Sequence, residues 1–275
     1  YSQFSEYQKF LDSSRPTAVN LSWALKRMEK KALEAGRVQK KSVSEVKEIL
    51  HQEALKIRDE DIEVCRKIGE NGLSLLKKRD GILTHCNAGQ LATVRYGTAT
   101  APIYLGQERG YQFRVFADET RPLLQGARLT AFELASAGVD VTLLCDNMSA
   151  SVMAKGLVQA VLVGCDRVAA NGDTANKIGT SVVATVANYY KVPVYICAPT
   201  STIDMETPDG AGIVVEQRAG EEVTEMWYKE RMAPEFDVTD HELIAGIITE
   251  YGVVRAPYQE NLRLLMEKKN REAKA

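Results

Sequence analysis

The sequence predicts an α/β protein in which a Rossmann-like, doubly wound parallel sheet domain over residues 80–275 follows a smaller, mainly helical N-terminal domain over residues 1–79. Two observations lead to this prediction. Apolar residues recur at helical spacing up to about Lys78, and after Asp80 they gather into short β-rich runs separated by helical stretches. Strands that are apolar throughout and alternate with helices are typical of a parallel sheet covered on both faces.

The N-terminal segment shows apolar residues three and four positions apart. Leu21, Leu25 and Met28 fall on one face of a first helix, and Val46 and Leu50 resume the pattern after a charged turn. The Lys and Glu runs between these positions are interpreted as solvated faces. The chain begins at Tyr1 rather than Met, so we expect this domain to be incomplete at its start.

Five strands are predicted after Asp80. They correspond to the apolar runs at residues 82–85, 113–116, 139–144, 160–163 and 192–197. No run is followed by the G-x-G-x-x-G pattern, so a dinucleotide site of the usual kind is not expected.

Composition narrows the classes of partner. The 275 residues are 45% hydrophobic and 26% charged, which is typical of a globular protein with a sizeable core. The 37 acidic and 35 basic residues give a net charge of −2, which provides no overall attraction to nucleic acid or to an anionic membrane. No apolar run approaches the ~20 residues of a membrane span, and no leader is recognised. We expect a small molecule or another protein as partner, and neither nucleic acid nor membrane.

The cysteines show neither Cys-x-x-Cys spacing nor the density of a disulfide scaffold. They are Cys65, Cys86, Cys145, Cys165 and Cys197. A reducing compartment fits this pattern, and we expect a cytoplasmic protein. The sequence shows no cluster of metal-ligating residues, so no metal or other cofactor is expected.

Reactive and polar side chains follow the predicted strands. In open α/β sheets ligands bind beyond the carboxyl ends of the strands, so these positions indicate a site. The five ends read "THCNAG", "ADETRPLLQG", "CDNM", "GCDRVAANGDTANKIGT" and "APTSTID". All five carry an acid, a thiol or an amide.

Cys86 follows the first predicted strand. If a helix begins just after it, the free N–H groups and the positive end of that helix lower the thiol pKa below its ordinary value of about 8.5. His85 is a tempting base, but neighbouring strand residues point to opposite faces, so we expect it to pack or to support the site instead. The alternative for Cys86 is a small buried apolar residue.

Asp166 follows the fourth strand, where burial would raise its carboxyl pKa towards that of a proton donor. The alternatives are a helix N-cap or a salt bridge to Arg167. Asp173 is predicted to open the next helix after an Asn-Gly turn. Asn176 and Lys177 would then lie in its first turn and hold an anion there.

Six blocks of the sequence together resemble one family. In chain order they read "SRPTAVNL", "THCNAG", "ADETRPLLQGARLTAFEL", "DNM", "GCDRVAANGDTANKIGT" and "APTSTID". They resemble the 5-methylthioribose-1-phosphate isomerases of methionine salvage, over nearly the whole chain. The same fold is shared by ribose-1,5-bisphosphate isomerases and by non-catalytic regulatory subunits of the translation-initiation nucleotide exchange factor. These relatives, and activity on 5-deoxyribose 1-phosphate, are the alternatives.

The resemblance implies an aldose–ketose isomerase without a cofactor, assembled as a homodimer through its α/β domain. It implies that Cys86 and Asp166 are the catalytic pair. The substrate contacts that it implies are Arg15, Gln125, Asn176 and Lys177.

The chain departs from the family in two places. An Arg-Gly-Ala phosphate-binding segment that the isomerases carry ahead of "SRPTAVNL" is not found, and "RMAPEFDVT" at residues 231–239 is several residues short. Residues omitted between Glu235 and Phe236 would explain the second departure. Their Cα atoms would then lie beyond the ~3.8 Å of a trans peptide.

The implied reaction has a specific difficulty. The phosphate occupies the anomeric oxygen, so the ring can open only if the ring oxygen is protonated. Asp166 suits the general acid. Two routes remain open for Cys86: a thiolate base that forms an enolate, or a hydride shift from C2 to C1 in which the pair handles the hydroxyl protons. Arg15 and Lys177 would hold the phosphate, and Gln125 the sugar hydroxyls.

Overall fold

The computed structural model describes residues 2–15, 18–224, 233–234 and 236–273. The expected break next to Phe236 involves Glu235, which lies outside the described residues. Among the described helices, none is both long and apolar enough to cross a membrane.

The N-terminal segment is helical, as the apolar spacing predicts. It contains α1 (Ser2–Asp12), α2 (Val19–Leu33) and α3 (Val43–Leu73). Ser42 begins α3 with a capping box: its hydroxyl accepts from the Glu45 N–H, and the Glu45 carboxylate accepts from the Ser42 N–H at 2.8 Å. A π-helical turn over Glu34–Val38 extends α2 before the chain turns into α3.

A seven-stranded sheet forms the centre of the molecule. Its strands are β1 (Gly81–Thr84), β2 (Arg114–Asp118), β3 (Asp140–Leu144), β4 (Ala160–Val163), β7 (Val194–Cys197), β12 (Gly246–Thr249) and β13 (Gly252–Val254), ordered β13-β12-β7-β4-β1-β2-β3. The five predicted strands and the α/β class are confirmed. Sequence analysis missed β12 and β13. The pairing of these two strands is antiparallel because the turn between them, where Gly252 has a φ of +123°, is too short for a crossover.

Helices cover both faces of this sheet. They are α4 (Ala101–Glu108), α5 (Ala131–Ser136), α6 (Ser149–Ala154), α7 (Thr180–Tyr189) and α9 (Tyr258–Glu272), and the chain also contains the short α8 (Glu221–Thr224). Alternate residues of β4 enter different cores: Val161 packs with Val183 of α7, and Leu162 with Ile68 of α3. Both faces of the strands are therefore buried, which explains their uninterrupted apolar runs.

A second, four-stranded sheet lies beyond β4. It contains β5 (Arg167–Ala169), β6 (Thr174–Lys177), β8 (Ile203–Asp204) and β11 (Phe236–Thr239), ordered β11-β6-β5-β8. A further short pair joins β9 (Gln217–Arg218) to β10 (Ala233–Pro234).

The prediction that a helix begins at Asp173 is wrong. The Asn-Gly turn at Asn171 and Gly172, where Gly172 has a φ of +96°, connects β5 to β6 as an antiparallel hairpin. The next helix, α7, begins only at Thr180. The sequence signal for the turn was correct, but the element that follows it is a strand.

Close packing of α3 against α4 generates a stability prediction. A Cβ added at Gly72 would lie 2.5 Å from Cγ of the rigid Pro102 ring, whereas one added at Gly36 would meet nothing closer than 3.9 Å. We expect Gly72→Ala to lower the free energy of unfolding by about 1–3 kcal/mol through overpacking. Gly36→Ala, the matched helical control, should be neutral or slightly stabilising. Denaturant unfolding measures both, and equal stability of the two variants would contradict the packing argument.

Candidate active site

A cleft of about 810 Å³ lies at the carboxyl edge of the main sheet, beneath the loop between α1 and α2. The structure brings all six sequence-predicted site residues together in its wall. They are Arg15, Cys86, Gln125, Asp166, Asn176 and Lys177. Residues from the N-terminal helices and from both sheets therefore meet in one cavity.

Cys86 follows β1 in a left-handed backbone conformation with a φ of +66°. Two threonines hold this conformation: the Cys86 N–H donates to Thr120 Oγ1 at 2.8 Å, and Thr130 Oγ1 donates to the Cys86 carbonyl at 2.6 Å. The prediction that a helix begins just after Cys86 is wrong. A short 3₁₀ turn begins at Gln90, and α4 begins only at Ala101.

The expected lowering of the Cys86 pKa is also wrong. Burial raises the pKa of the thiol to about 11, and the Asn87 N–H and the Lys177 ammonium offset only part of this rise. The side chain is therefore a neutral thiol at physiological pH. The physical reason is that a buried loop, rather than a helix N-terminus, surrounds the sulfur.

His85 has both ring nitrogens engaged by other residues of the protein. Nδ1 lies 3.1 Å from Asp118 Oδ2, and Nε2 lies 2.8 Å from the Ile178 carbonyl oxygen. The imidazole is 1% exposed, which agrees with the expectation that it supports the site rather than acting on the thiol.

Asp166 joins the sheet to the N-terminal helices. Its Oδ1 lies 3.0 Å from Arg15 Nη2, and its backbone carbonyl accepts from the Val19 N–H at 3.2 Å. The side chain is 14% exposed, so it is shielded but open to the cleft. The predicted alternative, a salt bridge to Arg167, is wrong, because that guanidinium pairs with Asp204 at 2.7 Å.

Asn176 and Lys177 lie on β6 and are 5% and 4% exposed. Asn176 donates from its side-chain amide to Thr180 Oγ1 at 3.0 Å. The idea that these residues share a helix N-terminus with an anion is wrong. The first N–H groups around α7 are bound by Asp237, whose Oδ2 accepts from Gly179 at 2.9 Å and Ser181 at 3.0 Å.

Asp173 does not cap a helix. Its carboxylate accepts from the backbone N–H groups of Gly210 at 2.8 Å and His241 at 2.9 Å, which fastens two loops to the β5–β6 turn. Together with an interaction with the His241 ring, these bonds outweigh desolvation and hold the pKa of the carboxyl below its usual value.

Gln125 precedes the π-helical turn Gly126–Thr130. Its Oε1 is buried and has no hydrogen-bond partner among the described residues. A buried acceptor without a partner is costly, so this atom is suited to accept a hydrogen bond from a ligand in the cleft.

Sequence analysis missed several residues of the site. Thr120 and Thr130 were visible in the motif "ADETRPLLQGARLT", but nothing in the pattern showed that they bind the backbone of Cys86. Glu216 and Arg218 also line the cleft, and their side chains pair at 3.1 Å. They come from β9 and its approach, a stretch without a recognisable motif.

Two clusters in the described part of the chain have the side chains of a metal site. They are His85 with Asp118 and Asp146, and Asp173 with Asp240 and His241. In the first, both Asp146 oxygens already accept backbone N–H bonds from Thr120 and Arg121 at 2.7 Å. Backbone hydrogen bonds therefore account for the Asp146 carboxylate of the first cluster.

Comparison with known proteins places the chain in a family. Residues 1–256 match the model of the Initiation factor 2 subunit family. The chain belongs to this family. It is 63% identical to a methylthioribose-1-phosphate isomerase of Symbiobacterium thermophilum, over 98% of the chain and 76% of that protein. It is 56% identical to a 5-deoxyribose 1-phosphate isomerase of Clostridium botulinum, over 98% of the chain and 78% of that protein.

A solved structure of an isomerase also resembles the chain. A 5-methylthioribose 1-phosphate isomerase from Pyrococcus horikoshii OT3 superposes with a TM-score of 0.87 at 43% identity, over 97% of this chain and 75% of that one. These relatives are sugar-phosphate isomerases, and the chain is accordingly an enzyme of the aldose–ketose isomerase class. It spans about three quarters of the relatives' length.

The raised thiol pKa generates a prediction about reactivity. With a pKa of about 11, about three Cys86 thiols in ten thousand are ionised at pH 7.5. We expect iodoacetamide to modify the exposed Cys145 first at this pH, and the Cys86 rate to rise tenfold per pH unit up to about pH 11. Mass spectrometry of tryptic peptides follows both sites. Equal rates at pH 7.5 would instead indicate the activated thiolate that the sequence pattern suggested.

Proposed function

We propose that the chain converts 5-methylthioribose 1-phosphate to 5-methylthioribulose 1-phosphate in methionine salvage. The observation that carries this proposal is the convergence of Arg15, Cys86, Gln125, Asp166, Asn176 and Lys177 on one cleft. The named isomerases at high identity support the reaction class and this substrate. The resemblance to the isomerases implies the six roles, and the position of all six residues in one cleft supports them.

Asp166 is the general acid of the proposal. Its proton passes to the ring oxygen, and the bond from that oxygen to C1 breaks. In the structure its carboxylate pairs with Arg15. A phosphate dianion is a stronger partner for a guanidinium, so substrate would draw Arg15 away from the carboxylate. Loss of that countercharge favours the protonated acid that ring opening needs.

Cys86 acts beside C2 as a neutral thiol. Because burial raises its pKa to about 11, a thiolate base is scarce at neutral pH, and the hydride shift is the route that this environment favours. The hydrogen on C2 moves to C1, and the C2 hydroxyl passes its proton to the Asp166 carboxylate, which restores the acid as the ketone forms. The atoms and electrons balance without an outside oxidant or cofactor. The thiol then relays protons and shields the cationic C1 from water.

Charge and hydrogen bonding position the substrate. The Lys177 ammonium is buried and Arg15 lies at the mouth, so a phosphate between them would be held by two cations. Gln125 Oε1 has no hydrogen-bond partner among the described residues, and it would accept a hydrogen bond from a sugar hydroxyl. Asn176 would fix a second oxygen of the substrate from the floor of the cleft.

Specific observations support two other functions. The Clostridium botulinum relative supports 5-deoxyribose 1-phosphate as a substrate of the same chemistry. The family name supports a non-catalytic regulatory subunit. The thiol and the carboxyl group together in one cleft favour turnover over simple binding. Ribose 1,5-bisphosphate is the remaining alternative.

A substrate panel tests the proposal. The purified chain is incubated with methylthioribose 1-phosphate, 5-deoxyribose 1-phosphate and ribose 1,5-bisphosphate, and ketose formation is followed by ¹³C NMR. We expect the highest kcat/KM with the methylthio compound. No ketose from any of the three, by a folded protein that binds them, would support the regulatory alternative instead.

Substitution of the catalytic pair tests the roles. We expect Cys86→Ser and Asp166→Asn to lower kcat by about 10²–10⁴-fold, because each keeps side-chain volume and removes an acid–base function. Cys145→Ser, which changes an exposed cysteine outside the cleft lining, is the control and should retain full activity. Activity of either active-site variant within tenfold of wild type would contradict its role.

We also propose a cytoplasmic homodimer built through residues 80–275, with residues 1–79 as a separate helical cap. The exposed apolar side chains of Val182 and Tyr189 on α7 offer an association surface within residues 80–275. The free cysteines suit a reducing compartment. Sedimentation equilibrium at micromolar concentration should give twice the chain mass of 30.4 kDa, and the mass of one chain would exclude the dimer.

A further inference from the structure

His85 and Asp118 form a buried hydrogen-bonded pair. Asp118 is 0% exposed and His85 is 1% exposed. The Ile178 carbonyl can only accept, so His85 Nε2 carries a proton. A second proton must then lie between His85 Nδ1 and Asp118 Oδ2 for their 3.1 Å contact to be a hydrogen bond. The pair is neutral overall, as imidazolium and carboxylate or as imidazole and carboxylic acid.

The pair connects the two sides of the cleft. His85 directly precedes Cys86 on the β1 side, and its bond to Ile178 holds the turn that directly follows Lys177. Asp118 connects to the same cysteine by a second route. Its backbone carbonyl accepts from Thr120 Oγ1 at 3.1 Å, and this hydroxyl accepts from the Cys86 N–H.

The close approach of the turn to the imidazole depends on glycine. Gly179 has a φ of +102°, and a Cβ there would lie 2.8 Å from His85 Cε1. Any other residue would push the turn, and Lys177 with it, away from the ring. Asp118 Oδ1 has no partner among the described residues, so the carboxyl group relies on the imidazole as its hydrogen-bond partner.

We propose that His85 and Asp118 are positioning residues, whose shared proton fixes Cys86 and Lys177 relative to each other. The inference rests on the proposed function, because it takes these two residues as parts of one active site. Loss of the shared proton would leave the imidazole lone pair facing a carboxylate oxygen. The two groups would then repel each other, and the cysteine and the lysine would move apart.

The surrounding charges set the pH dependence. Desolvation lowers the His85 pKa, but the hydrogen bond and charge of Asp118, with Asp146, raise it overall. Burial raises the pKa of Asp118, and Asp146 and Glu119 add to this rise. The charge on the β6 side is Lys177. A raised folded-state pKa means that positioning is complete at low and neutral pH and is lost as pH rises through the pKa of the pair.

Two variants and one control test the proposal. In Asp118→Asn, the new amide can donate to His85 Nδ1 while Nε2 still donates to Ile178, so the geometry stays without a shared proton. His85→Phe removes both bonds. Tyr258→Phe, which removes the buried hydroxyl bond to the Ile244 carbonyl, is the control for loss of a buried hydrogen bond away from the cleft.

The readouts are kcat and KM against pH with methylthioribose 1-phosphate, the Cys86 alkylation rate, and circular dichroism. In Asp118→Asn the alkaline decline of kcat/KM should move to a higher pH, where the Cys86 thiol ionises, because the amide can donate to His85 Nδ1 at every pH. His85→Phe should lower kcat/KM about 100-fold, with a higher KM and a changed alkylation rate, since small displacements of a reacting group have effects of this size. Tyr258→Phe should match the wild type within about twofold.

The outcomes are distinguishable. A wild-type protein without activity would defeat the proposed function, and the alkylation rates would still report whether the pair positions Cys86. An active wild type whose alkaline decline has the same midpoint in Asp118→Asn would overturn the shared proton. If His85→Phe is folded and behaves like Tyr258→Phe, positioning is overturned. If His85→Phe does not fold, the pH profile and the Cys86 alkylation rate of Asp118→Asn decide whether the pair positions Cys86.

Discussion

The parallel pairing of β1 with β2 on one side and β4 on the other is the constraint on which the site depends. Parallel neighbours end at the same edge of a sheet. Cys86 after β1, Gln125 after β2 and Asp166 after β4 therefore meet, although 80 residues separate the first from the last. A register change in any of these strands would move one of the three out of the cleft.

Burial then determines what these groups can do. The same desolvation that stabilises the apolar strands raises the pKa of the thiol and keeps it neutral. Arg15 reaches Asp166 from the N-terminal segment, so the carboxylate that it pairs with is also the proposed acid. Exchange of Arg15 from carboxylate to phosphate would couple substrate binding to proton donation. No further residue is needed for this coupling.

The sequence predicted what depends on local pattern. The five apolar runs became strands because both faces of the sheet are covered, and the polar residues at their ends mark the cleft. The sequence did not predict the local structure where residues distant in the chain determine it. Cys86 takes a left-handed conformation because Thr120 and Thr130 bind its backbone, and neither lies near it in sequence. Residues 174–177 became a strand because β11 pairs with them.

The central claim is that one sugar phosphate occupies this cleft with its reacting carbons between the thiol and the carboxyl group. A crystal structure of Asp166→Asn with methylthioribose 1-phosphate tests it most directly, because that variant should bind substrate without turning it over. The account predicts phosphate within hydrogen-bond distance of Arg15 and Lys177, and C1 and C2 between Cys86 Sγ and the side chain at position 166. A sugar phosphate bound elsewhere, or with C1 and C2 remote from Cys86, would contradict it.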